Sequence, residues 1–146
     1  MSAHRATILW HKTTESFSYE EYNREHEWRF DDHTVVRASA APAFRGDGQS
    51  VDPEAAFVAS LASCHMLTFL AICARKRIIV ESYEDAAVGH LEKNAQGKLA
   101  VTRVELHPRI AFAGAAPSDD ELKALHERAH HDCFIANSVT TEIIVA

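Results

Sequence analysis

Apolar and polar residues alternate along several short stretches of the chain. In residues 25–37 the alternation places His26, Trp28 and Phe30 on one face, as in a strand with one side buried. A Gly-containing turn at 94–97 separates two later alternating stretches. The pattern predicts strands at 5–12, at 25–30, at 33–38 after an Asp-Asp turn at 31–32, at 83–92, at 99–112 and at 138–146.

A long segment without charged residues, 55–74, lies within the first predicted helix. Asp52 is the expected N-cap and Pro53 the first helical residue, and the helix is predicted to run to about Lys76. A segment of this length could span a bilayer. It also carries Ser, Thr, Cys and His side chains, so we expect a helix buried in protein, partly by a second copy of this small chain.

The second predicted helix begins with the capping box Ser118–Glu121. Leu125, Ala129 and Cys133 recur at helical spacing, so Cys133 is expected on the apolar face. The element order is then βββ-α-ββ-α-β, an α+β fold with mostly antiparallel strands. We expect a single domain over residues 1–146.

Composition and charge narrow the range of functions. With 47% hydrophobic and 25% charged residues, the 146-residue chain has the make-up of a globular protein. Lys and Arg number 15 against 21 Asp and Glu, so we expect neither nucleic acid nor a membrane as a partner. We see no signal peptide near the N-terminus. Three cysteines do not make a secreted disulfide framework, which favours a reducing compartment, the cytoplasm.

The three cysteines differ in their surroundings. Cys64 and Cys73 are nine residues apart, which places them on opposite faces of one helix, where they cannot pair. Cys73 lies between Ile72 and Ala74, a setting typical of inert packing. Cys64 and Cys133 have polar neighbours, and for these two cysteines packing and reactivity are equally open.

A zinc site and a Cys–His hydrolase are the alternatives from other classes. The two thiols and some of the 10 histidines could hold zinc, but no matching pairs of CxxC or HxxxH motifs accompany them. His126 and His130 are four residues apart and could both bind one metal ion from the same face of a helix. A hydrolase would need a histidine oriented by a third group, which the sequence does not identify. We predict no metal and no cofactor.

Two charged residues lie near the thiol-bearing elements. Glu54 is in the first turn of its helix, where a carboxylate is favourable in any case. Arg24 precedes His26 by two residues. If the strand already begins there, Arg24 shares the aromatic face and needs a carboxylate partner, whereas in a loop it needs none. Both interpretations are open.

Taken together, these residues resemble the OsmC/Ohr family of thiol-dependent hydroperoxide reductases (osmotically induced protein C and organic hydroperoxide resistance protein). The resemblance lies in the DPE sequence ending at Glu54, in SLASCH around Cys64 ten residues later, and in the late Cys133. The segment Tyr22–Phe30 looks like the strand that carries the family's arginine. The sequence departs from the family pattern at two positions. His65 takes the place of an apolar residue, and Phe134 follows Cys133 where the family often has proline.

The resemblance implies antiparallel sheets around a buried central helix, and the largely apolar surface of that helix favours an intertwined homodimer. It implies that Cys64 is the peroxidatic thiol and Cys133 the resolving thiol. Arg24 is implied as the partner of the thiolate, with Arg29 as the fallback, and Glu54 as the carboxylate that holds the arginine. The implied reaction reduces organic hydroperoxides to alcohols through a Cys64 sulfenic acid and a Cys64–Cys133 disulfide, which an external, lipoyl-type dithiol resets.

The substrate and the assembly follow from the first helix. Its apolar residues favour bulky organic peroxides over hydrogen peroxide. Glu54 and Cys64 are about 15 Å apart along a straight helix, so one site could use both only through a bend, a bridging arginine or a second subunit. The alternatives within the fold are a non-catalytic redox sensor and a binder of small apolar ligands, and the alternative from a different class is a zinc-stabilised protein. The apolar residues are Phe57, Leu61, Met66 and Phe69.

Overall fold

The structure, a computed structural model, describes residues 1–146. The chain divides into two compact units, 1–56 and 57–146, which are described in turn. A single domain over the whole chain stays a prediction. The helices are α1 (Pro53–Arg75) and α2 (Asp119–Asp132), and the strands are β1 (Thr7–Leu9), β2 (His26–Arg29), β3 (Val35–Ala38), β4 (Ile79–Asp85), β5 (Val88–Lys93), β6 (Leu99–Leu106), β7 (Pro108–Ala113) and β8 (Glu142–Val145).

The first unit contains an antiparallel sheet in the order β1-β2-β3. The carboxylate of Asp31 accepts the backbone N–H groups of His33 and Thr34 and so closes the turn between β2 and β3. On β2, the indole N–H of Trp28 donates to Nε2 of His26 at 3.1 Å, which confirms that these two side chains share a face. The three predicted strands are confirmed, each shorter than its alternating stretch.

Helix α1 begins and ends close to its predicted bounds. The side chain of Asp52 accepts the N–H of Ala55 at 2.8 Å, the bond expected of an N-cap. At the other end, Arg77 takes the left-handed conformation with φ of 61°, and the N–H of Ile78 donates to the carbonyl of Cys73. This is the way many helices end. The helix is long and apolar enough to cross a membrane, with a mean hydropathy of 1.9 over its most apolar 18 residues.

The second unit has two sheets, which corrects the predicted strand count. Residues 83–92 and 99–112 were expected as two strands, but they contribute to four strands, so the order is βββ-α-ββββ-α-β. Strand β4 pairs with β7, whereas β5 pairs with β6, which also pairs in parallel with β8. The chain changes sheets at Asp85, whose carboxylate accepts the N–H of His107 at 2.8 Å, and at Pro108, which has no N–H. The α+β class is confirmed.

Helix α2 packs its predicted apolar face into the core. Ser118 accepts the N–H of Glu121 at 3.2 Å, so the N-cap is confirmed. Leu125, Ala129 and Cys133 are buried. Two clusters form the core of this unit. One contains Phe69, Ile72, Cys73, Leu125 and Ala129, and the other contains Leu61, Val104 and Leu106.

Candidate functional site

The thiols of Cys64 and Cys133 meet within the second unit. Cys64 lies on α1 and is partly exposed, whereas Cys133 is the C-terminal cap of α2 and is completely buried. The two thiols are side-chain neighbours, and the N–H of Ala136 donates to Sγ of Cys133 at 3.4 Å. Both cysteines are free. The structure therefore brings together the two cysteines that the family resemblance pairs.

The surroundings of the two thiols give them different chemistry. Burial, and then the contact with Cys64, raises the pKa of Cys133 to about 11. Cys133 is therefore a protonated thiol at neutral pH, and a protonated thiol is a poor nucleophile. Cys64 is the more accessible of the two. This arrangement suits a first attack by Cys64 on a substrate and a later step that involves Cys133.

The third cysteine, Cys73, belongs to the core. It is buried in the cluster of Phe69 and Leu125, and this burial raises the pKa of its thiol. It lacks the solvent accessibility of a reactive cysteine. The sequence-based interpretation of Cys73 as packing is confirmed.

Arg24 is a buried cation held by backbone and aromatic groups of the first unit. Its side chain is 9% exposed, and its guanidinium donates to the carbonyls of Tyr22 and Tyr19, the latter at 2.6 Å. The guanidinium carbon lies 3.5 Å from the centre of the Tyr22 ring. Arg24 precedes β2 and so lies in a loop. The fallback Arg29, by contrast, is half exposed and paired with Glu27 at 2.9 Å.

Glu54 carries a carboxylate oxygen that lacks a partner. It lies in the first turn of α1, as predicted, and its Oε2 atom is buried without a hydrogen bond. No ion pair joins Glu54 to Arg24 within the chain. A buried, unpartnered carboxylate oxygen is costly and needs a donor. The structure does not pair these two residues in a single chain.

Two residues expected near the substrate are core residues. Leu61 and Phe69 are 1% and 0% exposed and belong to the two apolar clusters of the second unit. The expectation that they surround a bound peroxide is wrong, because side chains this deeply packed have no free surface. Phe57 is also packed, partly buried, against the cluster of Leu61.

A buried pair of histidines is the feature that sequence reasoning missed. Nε2 of His65 and Nδ1 of His126 are joined by a hydrogen bond of 2.9 Å, and the two rings lie within 9° of parallel. The ring of Phe69 stacks on His126 at 4.5 Å. A histidine in the middle of an uncharged helix needs a polar partner if it is buried, and this is the signal that could have identified His65.

Burial keeps both imidazoles neutral at pH 7. It lowers the pKa of His65 to about 4, with further contributions from His126 and His130. Burial also lowers the pKa of His126, although Asp85 opposes that shift. The pair therefore holds α1 against α2 through a neutral hydrogen bond.

This pair predicts a loss of stability in acid. Between pH 6.5 and pH 4 the unfolded chain binds a proton at His65 that the folded chain does not, so the free energy of unfolding falls as the pH falls through this window. We expect a loss of about 3 kcal/mol from this residue. Denaturant unfolding at several pH values measures it. The variant H65L/H126L should lack this part of the pH dependence, while H131Q, at an exposed histidine, should keep it. Equal pH dependence in H65L/H126L and the wild type would contradict the assignment.

No group of three or more His, Cys, Asp or Glu side chains is placed to hold a metal ion. His126, one of the two histidines considered as metal ligands, uses a ring nitrogen for its hydrogen bond with His65. The zinc-stabilised alternative therefore gains no support from the geometry.

Comparison with known proteins assigns the family. The family model for OsmC-like protein matches residues 46–146. An OsmC-like protein of unknown function from Vibrio cholerae O1 biovar eltor str. N16961 is 46% identical, with a TM-score of 0.95 and coverage of 100% of this chain and 99% of that chain. The chain therefore belongs to the OsmC family. The search of curated proteins found no match.

Two more distant structures share the fold. The organic hydroperoxide resistance protein OsmC from Legionella pneumophila is 17% identical, with a TM-score of 0.76 and coverage of 99% of this chain and 96% of that chain. The organic hydroperoxide resistance protein OhrB of Bacillus subtilis is 16% identical, with a TM-score of 0.68 and coverage of 99% and 98%.

Proposed function

We propose that this protein is a thiol-dependent peroxidase that reduces organic hydroperoxides to alcohols. The observation that carries the proposal is the contact between the partly exposed thiol of Cys64 and the buried thiol of Cys133. Members of the same fold from Legionella pneumophila and Bacillus subtilis are named organic hydroperoxide resistance proteins, which supports the substrate class.

The proposed reaction uses the two thiols in order. The Cys64 thiolate attacks the outer oxygen of the hydroperoxide, the O–O bond breaks, and the leaving alkoxide takes a proton to become the alcohol. Cys64 is then a sulfenic acid. The Cys133 sulfur attacks the Cys64 sulfur, water leaves, and a disulfide forms. An external dithiol, of the lipoyl type expected for the family, reduces the disulfide and is itself oxidised.

Arg24 and Glu54 are proposed as the charged groups of the site, on the resemblance to the family. A guanidinium stabilises a thiolate and the alkoxide that develops during attack, and it keeps its charge at neutral pH. A carboxylate orients a guanidinium through paired hydrogen bonds. The burial of Arg24 without a carboxylate, and the unpartnered Oε2 of Glu54, are the features expected if each finds its partner in a second copy.

A homodimer in the cytoplasm is the proposed working form. Only 28% of the most apolar window of α1 is buried within one chain, and Leu67 on this helix is 60% exposed. Water-exposed apolar surface on this scale favours burial by a partner. Sedimentation at micromolar concentration should therefore give a dimer, and L67E should shift it toward the monomer with loss of activity. A stable wild-type monomer that keeps full activity would contradict the proposal.

The activity itself is tested by consumption of cumene hydroperoxide with dihydrolipoamide as reductant. The wild-type protein should turn over many equivalents, and it should use cumene hydroperoxide faster than hydrogen peroxide. No consumption by reduced, folded protein would reject the peroxidase and favour the non-catalytic alternatives, a redox sensor or a ligand binder.

The variant C133A tests the order of the two thiols. Because Cys64 would then have no resolving partner in the chain, one equivalent of hydroperoxide should leave a stable sulfenic acid on Cys64, which dimedone labels for mass spectrometry. The matched variant C73A should form the disulfide and take no label. Equal labelling of C133A and C73A would show that Cys133 does not resolve the sulfenic acid.

A further inference from the structure

A second candidate site lies in the second unit, apart from the thiols. A cavity of about 720 Å³ is bordered by α2, β7 and β8, and neither Cys64 nor Cys133 lines it. Its volume falls within the range of about 300–1,000 Å³ that is typical of small-molecule sites. Its walls are mainly apolar, formed by Pro108, Ile110, Phe112, Leu122, Ile143 and Val145.

One buried polar side chain faces this cavity. His126 lines it and is only 8% exposed. Its Nδ1 atom is taken by the hydrogen bond to His65. Its other ring nitrogen, Nε2, has no hydrogen bond within the chain. Nε2 is accessible to solvent, and because His126 lines the cavity, we take this nitrogen to face it.

His65 determines which nitrogen of His126 carries the proton. Nδ1 of His65 is buried without a partner. A buried N–H without an acceptor is rarer and costs more than a buried acceptor nitrogen without a donor. The proton of His65 therefore belongs on Nε2, which donates it to Nδ1 of His126. The neutral ring of His126 then carries its own proton on Nε2, as a hydrogen-bond donor directed at the cavity.

The charges around the cavity favour a neutral ligand. Lys123 lines the cavity, but Asp119 and Glu127 line it too, each four residues from Lys123 along α2. His130 is the remaining titratable side chain on this face of the helix. With two carboxylates against one lysine, the lining offers no excess of positive charge to a carboxylate ligand.

We propose that this cavity binds a small, mainly apolar molecule through one neutral acceptor oxygen, such as a ketone carbonyl, which accepts the Nε2–H of His126. The apolar walls hold the body of the ligand, and His126 fixes its orientation. The proposal is independent of peroxidase activity.

Benzophenone and diphenylmethane are matched probes, because they share a shape and differ in the carbonyl. Binding to the reduced protein is followed by the NMR signals of the imidazole nitrogens. Benzophenone should bind several-fold more tightly than diphenylmethane, up to about tenfold, the range of one net hydrogen bond. Benzophenone should change the chemical shift of the protonated Nε2 of His126. Under ultraviolet light, benzophenone should crosslink to residues of β7, β8 or α2.

Two variants separate the hydrogen bond from the cavity. H126F keeps an aromatic ring against Phe69 and should bind both probes equally. I143W should fill the cavity and lose both probes, whereas I144W, at the adjacent position of β8, should bind like the wild type. The proposal is overturned if neither probe binds the folded wild type, if H126F keeps the preference for benzophenone, if crosslinks fall outside the cavity, or if 4-benzoylbenzoate binds more tightly than benzophenone.

Discussion

Replacing Cys64 with serine is expected to lower kcat/KM for an organic hydroperoxide by about a thousandfold or more. A serine hydroxyl is not ionised at neutral pH and cannot form the sulfenic acid, so the O–O bond has no nucleophile to break it. Cys64 is partly exposed, and the oxygen is smaller than the sulfur it replaces, so we expect C64S to fold. Stopped-flow consumption of cumene hydroperoxide measures the loss.

The control for this variant is C73A. Cys73 is buried in the core and has no part in the proposed reaction. C73A should lose stability, since it leaves a small cavity, but it should keep kcat/KM within about twofold at a temperature where it is folded. Activity in C64S, or an equal loss of activity in C73A, would show that the wrong thiol has been assigned.

Replacing Arg24 with glutamine should lower kcat/KM by about 100- to 1,000-fold, the usual cost of removing one donor that stabilises a developing anion. The guanidinium is proposed to favour both the Cys64 thiolate and the leaving alkoxide. Iodoacetamide should also inactivate R24Q more slowly than the wild type, because loss of the cation disfavours the thiolate. A variant that is only misfolded would expose Cys64 and would not react more slowly.

Arg29 provides the matched control for Arg24. It lies five residues later, half exposed and paired with Glu27. Exposed ion pairs contribute little, so R29Q should leave activity and stability nearly unchanged. A large loss in R29Q with normal activity in R24Q would reverse the assignment and make the fallback arginine the partner of the thiolate.

The fold could be predicted in large part because its elements have local signals. Asp52 and Ser118 mark the starts of both helices, and each makes the capping bond that its position implies. The division into four strands between the helices could not be predicted. Residues 99–112 are predicted as one strand that alternates well in its first half, whereas the structure divides them next to a hydrogen bond between His107 and Asp85, which are distant in sequence.

The candidate site could be predicted only to the level of residue types. The face of α2 placed Cys133 in the core, and family resemblance paired it with Cys64. Nothing in the spacing of the histidines indicated that His65 and His126 would share a buried hydrogen bond, because the packing of α1 against α2 decides it. The apolar residues Leu61 and Phe69 were expected near the substrate, because the sequence alone does not distinguish apolar residues of the core from those that line a pocket.

The most direct test of the Cys64–Cys133 redox pair is a count of thiols after one equivalent of cumene hydroperoxide. The reduced chain has three free cysteines. After the reaction, we predict one free thiol, on Cys73, a product lighter by two hydrogen atoms, and a tryptic peptide pair linked through Cys64 and Cys133. Three thiols remaining after the peroxide is added, or a disulfide that includes Cys73, would contradict the account.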